Sequence, residues 1–174
     1  MSKRILIQNA KAIVTCDAQD SVFWDADMLI EGPKIVKIGS HLTDPHDEVI
    51  DATDMFIYPG LINTHHHFFQ TFVRNLKTID YPNMTVPQWL DKAYRVFQMI
   101  NDEVIYYSSL TAMADLLKHG CTCAFDHQYC YTKTTGKTPV DRQMEAAKLL
   151  GIRYHAGRGV NTLPREKGST IPEN

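Results

Sequence analysis

The residues with the clearest chemical potential are three consecutive histidines, His65, His66 and His67, which follow Pro59-Gly60-Leu61-Ile62-Asn63-Thr64. Side chains two apart on a β-strand share a face. A strand reading therefore puts His65 and His67 together and turns His66 to the other side. Two imidazoles in that relation are natural ligands for a divalent metal such as zinc. A surface cluster or a purification tag fits less well. The run is interior and flanked by Leu61, Ile62, Phe68 and Phe69.

Such a pair must be carried by a scaffold, and the flanking sequence describes one. Residues 1–58 read as a small antiparallel β domain. Its strands are expected at Arg4–Ala10 and Lys11–Cys16, at two segments within Asp27–Gly39 joined by Gly32-Pro33, and at Glu48–Asp51. Residues 59–174 change pattern. A mostly buried strand is expected over Leu61–His67. Apolar spacing from Val86 to Ile100 predicts a helix with Thr85 as its N-cap. Asn101 begins a second helix, whose first turn holds Asp102 and Glu103 and which stops at Gly120. Strands are expected at Cys121–Gln128 and Ile152–Ala156, with a helix over Val140–Leu150 between them. Strand and helix alternate as in parallel βα units. The tail from Thr162 reads as a loop.

Composition narrows the function classes. The chain has 174 residues, a formal net charge of -2 and 44% hydrophobic residues. That is the balance of a soluble globular protein, with no basic excess for nucleic acid and no apolar run long enough for a membrane span. The N-terminus lacks the hydrophobic region of a signal peptide, so a cytoplasmic location is expected. Cys16, Cys121, Cys123 and Cys130 show no C-x-x-C spacing and are expected as reduced thiols.

The run Pro59-Gly-x4-His65-x-His67, following a small β domain and leading into βα units, resembles the hallmark of the amidohydrolase superfamily. The segments His65–Arg74, Gly120–Tyr129 and Gly151–Gly159 resemble its aminohydrolase branch, which holds 8-oxoguanine deaminase, isoxanthopterin deaminase and hydroxydechloroatrazine ethylaminohydrolase. The resemblance implies an α/β fold, a metal-dependent (β/α)8 TIM-like barrel of which the first three βα units are present. It implies one divalent metal, zinc or iron, with His65 and His67 as two of its ligands. It implies hydrolytic deamination of a purine, pterin or triazine-like heterocycle with release of ammonia, and a homodimer or larger homo-oligomer.

Substrate contacts are expected from three side chains. The Gln70 amide can donate to and accept from a purine-like edge; the alternative is an ordinary loop glutamine. His127 ends a strand, where barrel active sites are built, or it is simply packed there. Arg158 follows the third strand and suits a ring carbonyl or a carboxylate, or a salt bridge holding the loop. Trp89 suits core packing through its helical spacing, or a cover for a flat ring. The superfamily's remaining metal ligands and its acid/base residues have no counterpart here, so no catalytic residue is assigned in this chain and they are expected beyond Asn174. The chain then needs the remainder of its own polypeptide as partner, with nicking after Thr162 or a truncated gene product as explanations. Two alternatives stay open: a cyclic amide hydrolase of the dihydroorotase or hydantoinase kind, and a truncated non-catalytic fragment.

Overall fold

The computed structural model describes residues 2–76, 83–136 and 138–160. The expected loop after Thr162 lies outside these residues. The chain divides into two compact units between Pro59 and Gly60.

The first unit is one sheet in the order β3-β2-β1-β4, with β5 also paired to β1. Its strands are β1 (Arg4–Val14), β2 (Val22–Glu31), β3 (Lys34–Gly39), β4 (Glu48–Asp51) and β5 (Phe56–Ile57). Two expectations are corrected here. The strands expected on either side of Lys11 are one strand, because a bulge absorbs the irregularity. Asn9 adopts a left-handed φ of 62° and the register shifts between Ile7 and Ala10, while the Asn9 N–H donates to buried Asp27 Oδ1 at 2.9 Å. The sheet is also mixed rather than antiparallel. β1–β2–β3 are antiparallel neighbours, but the chain then crosses to the far edge of β1, where β4 and β5 run parallel to it. A hairpin enforces antiparallel pairing, whereas a crossover permits parallel pairing.

The second unit is a parallel sheet in the order β6-β7-β8, formed by Leu61–Asn63, Cys121–Gln128 and Arg153–Arg158. Between strands lie α1 (Val86–Phe97), α2 (Asp102–Lys118) and α3 (Pro139–Leu150). The helix ends follow their capping residues. Thr85 N–H donates to Gln88 Oε1 at 2.9 Å before α1, and Asn101 Oδ1 accepts from Val104 N–H at 2.8 Å before α2. α3 ends at Gly151, whose φ of 73° is a left-handed stop. The strand β7 alternates as a half-covered strand should. Ala124, Asp126 and Gln128 are fully buried on the helix side, while His127 is exposed.

The strand expected over Leu61–His67 is shorter and more open than its sequence suggested. Pairing ends at Asn63, Leu61 and Ile62 are largely exposed, and the histidines lie outside the strand. The reason is local. Asn63 Oδ1 accepts the His65 N–H at 3.2 Å, which turns the backbone out of the ladder. A short 3-10 helix, Phe68–Val73, follows directly. Its first two residues are core residues. Phe68 packs with Ala112 and Met113 of α2 and Ala146 and Ala147 of α3. Phe69 packs with Ala93, Tyr94 and Phe97 of α1. The segment after the histidines is thus anchored in two clusters at once.

Candidate active site

His65 and His67 meet without the strand that was expected to bring them together. Their ring centroids lie 5.0 Å apart, edge to face. His66 points elsewhere, with its ring 4.5 Å from that of Phe68. Burial, with the neighbouring His67 and Arg74, pushes its pKa down, and its Nδ1 is buried without a hydrogen-bond partner.

His67 is held from two directions. Its Nδ1 lies 2.8 Å from the backbone carbonyl oxygen of His127. A carbonyl can only accept, so Nδ1 carries the proton and Nε2 keeps its lone pair. That is the tautomer a ligating imidazole needs. Burial lowers the His67 pKa and favours the neutral ring, although the bond to His127 opposes this. His67 also touches the Tyr129 ring, with centroids 4.8 Å apart.

His67, Gln70 and His127 line one cavity of about 420 Å³. Tyr129, Gly159 and Val160 complete that side. Val86, Trp89 and Leu90 of α1 form an apolar side. Trp89 packs on the core as its helical spacing predicted, edge to face on Phe97 at 6.1 Å, and it also reaches the cavity. Gln70 Nε2 donates to the Tyr129 hydroxyl at 2.5 Å, which fixes the amide and directs its carbonyl oxygen away from that bond. Burial pushes the Tyr129 hydroxyl up to about 12, so it stays protonated. Gly159 lets these parts approach. A Cβ there would lie 2.7 Å from His127 Nε2 and 2.7 Å from Tyr129 Cβ.

Arg158 lies apart from this group. Its guanidinium sits 4.5 Å over the Tyr131 ring and it does not line the cavity.

Behind the cavity is a polar cluster that sequence reasoning did not assemble. Asp126 Oδ1 accepts the Phe68 N–H at 2.6 Å and Oδ2 accepts Gln143 Nε2 at 2.8 Å. Gln143 also donates to Gln128 Oε1 at 3.2 Å and accepts from the Tyr154 hydroxyl at 2.8 Å. Asp126, Gln128 and Gln143 are fully buried. Burial pushes the Asp126 carboxyl up to about 6, against the two hydrogen bonds that favour its charge. The signal available in the sequence was the alternation of β7, which turns Asp126 away from His127.

A divalent metal fits part of this donor set. His65 and His67 bring two imidazole rings to close quarters, and His67 has its tautomer fixed. A catalytic zinc normally has three protein ligands. Among the described residues no group of three or more His, Cys, Asp or Glu is placed to hold a metal. The four cysteines are free thiols, and Cys121 and Cys130 are buried. Among the described residues no helix is long and apolar enough to cross a membrane.

Comparison with known proteins gives a consistent result. The sequence profile of the amidohydrolase family matches residues 56–174. Hydroxydechloroatrazine ethylaminohydrolase of Pseudomonas sp. (strain ADP) is 46% identical, over 92% of this chain and 36% of its own length. 8-Oxoguanine deaminase of Pseudomonas aeruginosa is 31% identical, over 98% of this chain and 37% of its own. The zinc complex of an atrazine chlorohydrolase from Arthrobacter aurescens superposes with a TM-score of 0.85 at 30% identity, covering 95% of this chain and 38% of that one. The chain thus spans little more than a third of the length of these relatives. Its α/β architecture is that of the first three βα units of a (β/α)8 barrel preceded by a small β domain. The chain belongs to the amidohydrolase family.

Proposed function

We propose that the protein carrying this chain is a metal-dependent aminohydrolase that deaminates a purine, pterin or triazine-like ring by hydrolysis and releases ammonia. Residues 1–58 serve as its small β domain and residues 59–174 as the first part of its barrel. The observation that carries the reading is the convergence of His67, Gln70 and His127 on one partly apolar cavity, with the His67 Nε2 lone pair kept open by the bond to His127. His65 and His67 would hold the metal, zinc or iron. When bound, such an ion supplies Lewis-acid activation of water, lowering its pKa toward ~7.

The chain's own residues define the binding half of the reaction. Val86, Trp89 and Leu90 would offer an apolar surface to a ring. Gln70, pinned by Tyr129, keeps a carbonyl oxygen to accept from an amino or ring N–H. His127 presents its ring beside it. Arg158, off the cavity and stacked on Tyr131, supports the loop in this reading unless substrate draws it across. The proton-transfer groups belong to the remainder of the polypeptide. A homodimer or larger assembly in the cytoplasm is part of the proposal.

The test uses the intact protein. Metal content is measured, and ammonia release is followed with guanine, 8-oxoguanine, isoxanthopterin and amino-substituted triazines. Stoichiometric zinc or iron and ammonia from one of these rings is expected, with both lost in His67→Ala. Ring opening without ammonia would replace the reading with a cyclic amide hydrolase, and absence of metal from the intact protein would refute it.

A further inference from the structure

Three consecutive residues, His66, His67 and Phe68, are tied by one hydrogen bond each to two consecutive residues of β7, Asp126 and His127. His66 C=O accepts the His127 N–H at 2.9 Å. His67 Nδ1–H donates to His127 C=O at 2.8 Å. Phe68 N–H donates to Asp126 Oδ1 at 2.6 Å. The first two ties use backbone groups of β7 and are indifferent to side-chain identity there. The third depends on one carboxylate. It closes the segment on the far side of His67, beyond the end of strand pairing at Asn63.

The carboxylate is itself positioned. Asp126 is fully buried between β7 and the helices, and its second oxygen takes the Gln143 amide of α3. Gln143 is oriented by donating to Gln128 and by accepting from Tyr154 of β8. Its amide has no rotational choice left: the nitrogen faces two acceptors and the oxygen faces a hydroxyl donor. A chain of hydrogen bonds therefore runs from Tyr154 through Gln143 to Asp126, which also accepts from the peptide N–H that follows His67. Partners behind a ligand commonly set its orientation and its affinity for metal.

We propose that Asp126 is a positioning residue for His67. By accepting the Phe68 N–H it fixes the backbone that aims the His67 ring at the cavity, and Gln143 and Tyr154 hold it in the orientation to do so. The metal half of this inference rests on His65 and His67 being ligands. The tautomer half does not.

The experiment uses the intact protein with Asp126→Ala, Asp126→Asn and Gln143→Met. Two quantities are read well below the unfolding temperature. One is the zinc dissociation constant by chelator competition. The other is the pair of His67 ring ¹⁵N shifts in metal-free protein. Asp126→Ala should weaken zinc by about 10–100-fold and replace the single Nδ1–H tautomer with a mixture. Asp126→Asn keeps an acceptor oxygen for Phe68 but turns its amide N–H toward the Gln143 nitrogen, so it should recover part of both. Gln143→Met should give a smaller change of the same sign, and it decides the matter if Asp126→Ala does not fold. A purely structural role would lower the unfolding temperature while leaving zinc affinity and ring shifts at wild-type values, and that result overturns the proposal. If the wild type binds no zinc, the ligand reading fails, and the ring shifts alone still decide whether Asp126 positions His67.

Discussion

Gly159→Ala tests the geometry of the cavity without replacing any residue proposed to contact metal or substrate. Gly159 is buried at the end of β8, with its N–H donating to Gln128 C=O at 2.7 Å. Its backbone is not in the left-handed region, so alanine meets no conformational penalty there. The whole effect is steric. The added methyl would lie 2.7 Å from His127 Nε2, 2.7 Å from Tyr129 Cβ and 3.0 Å from Tyr129 Cα. Carbon contacts are comfortable near ~3.5–4.0 Å, so the neighbours must retreat by about 1 Å. The His127 ring can rotate. Tyr129 Cα and Cβ are the root of a side chain that also bonds Gln70 and packs on His67. Forcing extra volume into such a site typically costs about 1–3 kcal/mol. The expected result is an unfolding free energy lower by that amount, together with a raised KM for the proposed heterocyclic substrate as Gln70 is displaced. Thermal or urea unfolding supplies the first number and steady-state kinetics the second. A Gly159→Ala protein with wild-type stability and KM would show that β8 and the end of β7 do not pack as described.

Two further outcomes follow from the same packing. Phe68→Ala empties a fully buried site between α2 and α3; urea unfolding should show a loss of about 3–5 kcal/mol, and a loss below about 1 kcal/mol would contradict the assignment of Phe68 to that core. Asp126 should give stability an inverse dependence on pH. Its carboxyl is held up to about 6 from the ordinary 3.8, so its contribution is complete below the ordinary value and fades as pH rises through about 6. The loss is at most about 3 kcal/mol. The unfolding midpoint of the wild type should therefore fall more between pH 4 and pH 7 than that of Asp126→Asn, and parallel profiles would refute it.

The parts of the fold that were readable are those governed by nearest neighbours. Asn101, Gly120 and Gly151 stop and start elements by their own backbone preferences, and the positions of α2, β7 and α3 follow. The histidine segment was less readable. Three strand residues are too few to establish a period of two, and Asn63 turns the chain before the pattern can continue. His65 and His67 come together all the same, for a tertiary reason. β7 holds the segment from the side. The mixed first sheet was missed because a crossover and a hairpin can have similar loop residues. Asp126 reads as an acid in an apolar strand. Its side-chain partner Gln143 lies one element further on and is itself held by Tyr154 of the element after that, and nothing local announces that an amide will reach the carboxylate. The apolar wall of the cavity was half legible: Trp89 shows its helical spacing, but spacing alone does not say which side of the helix meets a ring.

The adjacency of Asp126 and His127 limits how this chain can vary in length. Neighbours on a strand serve opposite faces, and here one faces the helices while the next faces the cavity. Removing or adding a single residue within Cys121–Phe125 would exchange them. The carboxylate would enter the mouth beside His67, and an imidazole would be pressed into a buried slot that presents two hydrogen-bond donors. Insertions are tolerable in the connection after Cys130, where the chain has left the strand. Within β7 itself the spacing is fixed to the residue, and drift in that segment must proceed by substitution alone.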